Sequence, residues 1–219
     1  MNLISEVKHL LKKEILLEWR SKYALNGILL YVISTVFVCY LSFRTTPPLV
    51  WNALFWIIML FAAINAIAKS FMQESKGRLL YYYQIASPQA IIIAKIIYNI
   101  LLMILMAVIA LVFYSIVFKN EVGDYLLYIV AVIIGAISFS TVFTMISAIA
   151  SKAGNNGTLM AILSFPVIIP LLMLIIKLSK NAMDGLDRSV SLNEIAVLGA
   201  INLIVIATSL LLFPYLWRD

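Results

Sequence analysis

Six long stretches without a charged residue dominate the sequence. They cover residues 23–43, 45–68, 96–118, 125–151, 153–176 and 195–217, and charged residues border each of them. A helix needs about 20 residues to cross a hydrocarbon core about 30 Å thick, because each residue adds about 1.5 Å. Soluble amphipathic helices carry charges every turn or two, so a soluble helical domain does not explain the pattern. The sequence therefore predicts an integral membrane protein with six transmembrane helices.

Turn-forming residues shorten two of the predicted spans. Pro47 and Pro48 place the start of the second span near Leu49, and the GNNG sequence at 154–157 places the start of the fifth near Thr158. The predicted spans are therefore about 23–43, 49–68, 96–118, 125–151, 158–176 and 195–217. Barrel strands alternate apolar and polar residues, and these runs do not. We expect one all-α transmembrane domain covering residues 1–219.

The segment before the first span, residues 1–22, predicts an amphipathic helix lying in the membrane plane. Its charged residues lie mostly off an apolar stripe at helical spacing, which consists of Leu3, Val7, Leu11, Ile15 and Trp19 with Ile4 and Leu10 beside them. A cytosolic helix that docks on a partner is the alternative. No cleavable signal peptide is evident, because the first apolar run starts only after Lys22.

The distribution of basic residues predicts the orientation. Eleven Lys and Arg residues fall on the side of the two termini and five on the other side. Under the positive-inside rule, both termini lie in the cytoplasm. The net charge of +6 could suggest nucleic acid, but the basic residues flank apolar runs as membrane anchors do. We therefore expect a lipid bilayer and no nucleic acid as partner.

Several functional classes lack the residues that they need. No G-x-x-x-x-G-K-[ST] loop is present, so ATP hydrolysis would have to come from a partner. One histidine, His9, and one cysteine, Cys39, cannot assemble a zinc or iron site, and we interpret His9 as a solvated helix residue. The uncharged spans also argue against a proton-driven transporter, which places ionisable groups at membrane depth. We expect no catalytic residue and no metal site.

Neutral polar residues and two prolines interrupt the spans. The polar residues are Asn65, Asn99, Ser138, Ser140, Thr141, Thr144, Ser147 and Asn202. We interpret Asn99 and the 138–147 series as interhelical hydrogen bonds, with a substrate path as the alternative. Pro166 and Pro170 remove two amide donors from the fifth span, so the helix should kink or break there. The functional alternative is a hinge that lets half of the span move or re-enter the membrane.

The only sizeable predicted cytoplasmic stretch between spans runs from Lys69 to Lys95. It suits a short surface helix broken or bent at Gly77, with the tyrosines 81–83 at headgroup level and a stop at Pro88. Its order of residues resembles a pattern of the CcmB permease family of cytochrome c maturation, also called haem exporter protein B. The pattern has a phenylalanine, an acid, a glycine, a leucine, a proline and a lysine: Phe71, Glu74, Gly77, Leu79 or Leu80, Pro88 and Lys95.

The resemblance covers the full length, and the proline pair Pro166 and Pro170 before the last loop is also similar to the family's pattern. Where relatives carry more acids near the glycine, this chain has Arg78, Leu80 and Tyr81. The resemblance implies an ABC permease subunit that binds no cofactor itself. Two copies of the subunit work with two CcmA-like ATPase subunits. The complex also holds CcmC-like and CcmD-like subunits. The complex serves haem delivery, and ATP hydrolysis releases a haem-loaded periplasmic chaperone.

A mechanism follows from this resemblance as a hypothesis. Closure of the ATPases would push the coupling residues of the 69–95 interval and tilt the second and third spans. The assigned coupling residues are Phe71, Glu74, Gly77, Arg78, Leu80 and Pro88. Two other readings stay open: an exporter permease for a drug, lipid or polysaccharide, and a scaffold that only anchors partners.

Overall fold

The computed structural model describes residues 3–21, 23–43, 46–67, 71, 86–118, 122–152 and 157–218. Within these ranges all regular structure is helical. The helices are α1 (Leu3–Ser21), α2 (Tyr23–Ser42), α3 (Pro48–Ile67), α4 (Pro88–Val117), α5 (Tyr125–Lys152), α6 (Gly157–Met183), the short 3₁₀ helix η1 (Arg188–Ser191) and α7 (Leu192–Arg218). The helices from α2 to α7 provide six segments long and apolar enough to cross a membrane, as the sequence predicts.

Helix α4 begins at Pro88, eight residues before the predicted span start at Ile96. Ser87 caps it, because the hydroxyl of Ser87 accepts a hydrogen bond from the Ala90 amide at 3.4 Å. Pro88 fits the first helical position, where no amide donor is needed and a fixed φ favours helix entry. The proline that was expected to stop a surface helix therefore starts the third span. Lys95 lies inside α4 and not in the preceding connection.

Helix α6 is continuous from Gly157 to Met183, so the break considered at its two prolines does not occur. It extends seven residues beyond the predicted end at Ile176. Pro166 and Pro170 are both exposed and lie four residues apart, on the outward side of the helix. The role of this proline pair as a hinge stays a prediction.

Helix α5 lies at the centre of the bundle and contacts α3, α4, α6 and α7. Its packing on Trp56 of α3 depends on Gly135. A Cβ atom at Gly135 would lie 2.5 Å from Cη2 of Trp56, a fully buried ring. The indole nitrogen of Trp56 donates a hydrogen bond to the hydroxyl of Ser179 on α6 at 2.8 Å. Gly135 therefore allows one tryptophan to join three helices.

Two buried amides connect α5 to its neighbours. The side-chain nitrogen of Asn99 on α4 donates to the hydroxyl of Thr144 at 2.8 Å. Asn202 on α7 donates to the hydroxyl of Ser138 at 2.8 Å and accepts from the hydroxyl of Thr141 at 2.9 Å. These bonds confirm the interpretation as interhelical hydrogen bonds for Asn99 and, within the series, for Ser138, Thr141 and Thr144. They join α4, α5 and α7 without charges.

Replacing Asn202 by leucine should destabilise the bundle by about 1–2 kcal/mol, the upper range for interhelical hydrogen bonds in membranes. The change leaves the buried hydroxyl groups of Ser138 and Thr141 without the amide. Thr208→Val is the control on the same helix, because the Thr208 hydroxyl bonds to the Ile204 carbonyl of α7 itself. Thermal unfolding of the purified protein in detergent measures the difference. Equal midpoints for the two variants would contradict the assignment.

The end of the bundle that contains η1, here the η1 end, is closed by two ion pairs and a loop contact. Arg188 makes a bidentate pair with Asp124 at 2.7 and 3.1 Å. Hydrogen bonds from Arg188, and next from the Leu127 amide, lower the pKa of Asp124. Lys177 pairs with Glu194 at 2.7 Å. The Gly123 amide donates to the Met183 carbonyl at 3.2 Å, which seats the α4–α5 connection on the end of α6.

Candidate coupling site at the α1 end

At the opposite end of the bundle, here the α1 end, helix α1 contacts the cap of α4. One carboxylate oxygen of Glu6 accepts two hydrogen bonds from Ser87, from its amide at 3.0 Å and from its hydroxyl at 2.8 Å. These two bonds, the amide bond first, lower the pKa of Glu6. Glu6 therefore holds Ser87, the residue directly before the first residue of α4.

The second contact is an ion pair at a site with little solvent. The Nζ atom of Lys95 lies 3.2 Å from Glu14, and the two side chains are only 6% and 13% exposed. Burial acts to raise the pKa of Glu14, but the positive charges of Lys95 and Lys13 outweigh it and hold this pKa below its usual value. The ion pair therefore replaces part of the solvation that water would otherwise supply to the two buried groups.

The third contact continues in the same direction along the two helices. Glu18 accepts a hydrogen bond from the hydroxyl of Tyr98 at 3.3 Å, and its other oxygen accepts from the Leu25 amide at 3.0 Å. Later residues of α1 contact later residues of α4: Glu6 bonds to Ser87, and Glu18 bonds to Tyr98. Helix α1 therefore runs beside the first turns of α4, in the same direction, and Glu18 also joins it to the start of α2.

Phe71, the first residue of the family pattern, is buried at this end, 5% exposed. Its ring lies 5.6 Å from that of Phe213 on α7, and Nζ of Lys95 lies 5.3 Å from its centroid. Such a placement of an ammonium over a ring is attractive. Ile91, Ile92, Ile96 and Ala148 complete the buried cluster, with Leu10 of α1 packed against it. We call the residues of the three contacts, together with the two phenylalanines, the α1 junction: Glu6, Glu14, Glu18, Phe71, Ser87, Lys95, Tyr98 and Phe213.

The structure brings together part of the predicted coupling set. Phe71 is in the α1 junction, and the half-buried Pro88 opens the helix that carries Lys95. Glu74, Gly77, Arg78 and Leu80 lie outside the described residues. His9 is exposed, and its ring nitrogen bonds to the Ser5 carbonyl at 2.7 Å. This placement confirms the interpretation of His9 as a solvated helix residue.

No role was predicted for Glu6, Glu14 and Glu18, and Lys95 was predicted only as the last residue of the family pattern, at the border of the third span. The available signal was their spacing, since residues 6, 14 and 18 recur on one side of a helix. The amphipathic pattern assigned them, away from the apolar stripe, to the charged side of the helix. In the structure it packs on α4, and the polar residues at 87, 95 and 98 repeat nearly the same intervals.

Comparison with known proteins gives one informative result. No curated protein matches the chain significantly. The CcmB protein family matches residues 5–215, from the first turn of α1 to the last turns of α7. The match favours cytochrome c maturation over the export of a drug, lipid or polysaccharide. Since it spans nearly the whole chain, this protein belongs to the CcmB family, the membrane permease of cytochrome c biogenesis.

Proposed function

We propose that this chain belongs to a cytochrome c maturation complex and transmits motion across the membrane. The motion is driven by ATP hydrolysis in a CcmA-like partner and passes from the α1 end of the bundle to the η1 end. One observation carries the proposal: both attachment points of the 72–86 stretch belong to the α1 junction. Phe71 precedes the stretch and packs on Phe213, and Ser87 follows it and bonds to Glu6. A force on this stretch has two defined points of entry into the bundle.

The route from these points uses contacts as well as covalent continuity. Motion at Ser87 moves α4 and, through Glu6, also α1. Motion at Phe71 reaches α7 through Phe213, and α3 through the chain. Asn99 and Asn202 then connect α4 and α7 to the central helix α5, which extends to the η1 end. The pairs Arg188–Asp124 and Lys177–Glu194 lie where this motion would arrive.

The proposal assigns the α1 end to the cytoplasm, as the basic residues predict, and the η1 end to the periplasm. A second copy of the chain, two ATPase subunits, and CcmC-like and CcmD-like subunits complete the complex. In this arrangement haem is substrate for the complex and is held by partner subunits. ATP hydrolysis in the partner serves release of the haem-loaded chaperone, and this chain carries the mechanical step.

Replacing Glu74 and Gly77 together by alanine tests the proposal in the assembled complex. We expect mature cytochrome c to fall by about tenfold or more, equivalent to a loss of about 1.4 kcal/mol in coupling. Partner ATPase activity should persist, since only its connection to the permease is weakened. The measurements are haem staining of mature cytochrome c and ATP turnover of the same purified complex. Gln84→Ala, in the same interval, is the matched control.

Two results would contradict the proposal. Unchanged cytochrome c levels in the double variant would remove the interval from the mechanism. Normal maturation with a hydrolysis-dead ATPase partner would favour the scaffold alternative, in which this chain only anchors other subunits. Co-elution of all subunits with the variant is required in both cases, because loss of assembly also lowers cytochrome c.

A further inference from the structure

The acidic residues of α1 lie on the side that packs on the bundle, and its exposed basic residues lie on the outward side. All three acids, Glu6, Glu14 and Glu18, are partly buried and bond to α4 or to the start of α2. The exposed residues of α1 contain no acid: they are Leu3, Ile4, Lys8, His9, Lys12, Ile15, Leu16, Leu17, Trp19 and Arg20. A segment of mixed charge in sequence therefore presents only basic charge outward.

Large apolar side chains alternate with these basic residues. Ile4 is 80% exposed and Trp19 is 73% exposed. Ile4, Lys8, Ile15 and Trp19 follow one another at spacings of four, seven and four residues, so they share one side of the helix. On such a surface, apolar groups and lysine stems enter the acyl boundary while the ammonium groups reach headgroup phosphates.

The chain continues from this helix directly toward lipid. Helix α1 ends at Ser21, and a candidate membrane span begins at Leu25. Trp19 and Arg20 therefore lie within a few residues of the point where the chain enters the membrane. This continuity favours a lipid surface as the occupant over a soluble protein.

We infer that the outward side of α1 binds the headgroups of anionic phospholipids. The inference goes beyond the proposed coupling function and does not depend on an ATPase. Its basis is that bonds to α4 and α2 withdraw all the acids of α1 from the outward side, so among the described residues of α1 no acid on that side opposes a negative surface. The apolar groups alone would bind any bilayer, whereas Lys8, Lys12 and Arg20 make the binding depend on lipid charge.

The test uses the full-length chain in nanodiscs, without ATPase. Leu16→Cys in a Cys39→Ser background carries an environment-sensitive fluorophore, and acrylamide, a neutral quencher, reports its exposure to water. We expect quenching to be about twofold weaker in discs with phosphatidylglycerol than in discs of phosphatidylcholine alone. High salt should remove the difference, because it screens exposed charges.

Matched variants separate charge from apolar contact. Lys8→Gln with Lys12→Gln should abolish the dependence on phosphatidylglycerol, and Lys8→Arg with Lys12→Arg should retain it. A fluorophore at Val190→Cys, exposed at the η1 end, is the control for position. Its quenching should not change with either pair of lysine substitutions. Equal shielding in both lipids would overturn the inference, leaving only apolar contact. So would shielding that appears only when the ATPase partner is added, since the surface would then bind protein.

Discussion

Replacing Glu14 by alanine should destabilise the protein by about 3 kcal/mol, the low end of the range for removing one partner of a buried ion pair. The low end applies because Glu14 is still 13% exposed. The change takes from Lys95 the carboxylate that solvates it at a position where water has little access. For a chain of this size the unfolding midpoint should drop by about 6–12 °C. Thermal unfolding of the protein in detergent measures the shift.

The control for this prediction lies on the same helix. Lys12→Ala removes an exposed charge of α1 and should change the midpoint little. Glu14→Leu combined with Lys95→Met removes both charges and should recover most of the stability, because two apolar groups leave no buried charge. The effects of Glu14→Leu and of Lys95→Met are also measured singly. If these two effects on the free energy of unfolding add up to the effect of the double variant, the pair has no coupling energy and its assignment is wrong.

The same variants address function separately from stability. The double apolar variant should keep α1 packed on α4, but it lacks the fixed geometry of an ion pair beside Phe71. If the α1 junction transmits force, this stable variant should still yield less mature cytochrome c than the unsubstituted complex. If only stability matters, cytochrome c should recover together with the unfolding midpoint.

Replacing Gly135 by valine is the second change with a large expected effect. It should cost about 3 kcal/mol or more, at the upper end of the range for overpacked cores. A Cβ at this position would lie 2.5 Å from Trp56, and the indole cannot easily move away. Its nitrogen bonds to Ser179, and its ring packs edge to face on Phe139 at 6.1 Å. We expect a lower yield of folded protein and a lower unfolding midpoint.

Gly199 offers a matched control, because it is also a glycine within a predicted span. A Cβ at Gly199 meets no atom within 4 Å, so Gly199→Val should change stability little. Trp56→Leu should relieve part of the cost of Gly135→Val, since it removes the ring that clashes. A Gly135→Val protein as stable as the Gly199→Val protein would show that α3 and α5 do not pack as described.

The candidate site could be predicted only in part from sequence. The order of Phe71, Pro88 and Lys95 indicated the region, because the family pattern and the hydrophobic runs are properties of local sequence. Their contacts were not predictable in the same way. Burial of Lys95 and its pairing with Glu14 depend on residues that are 81 positions apart, and on which side of α1 faces α4.

Local chemistry in the sequence by itself determined the class of this protein, its six spans and the positions of most of their ends. The reason is that a spanning helix must satisfy its backbone internally and match the thickness of the hydrocarbon, and both conditions act along a continuous stretch. Only the tertiary structure decided that the acids of α1 turn inward, that Lys95 is a buried partner, and that Gly135 admits Trp56. Each of these depends on the pairing of helix surfaces, which the run of residues along one helix does not specify.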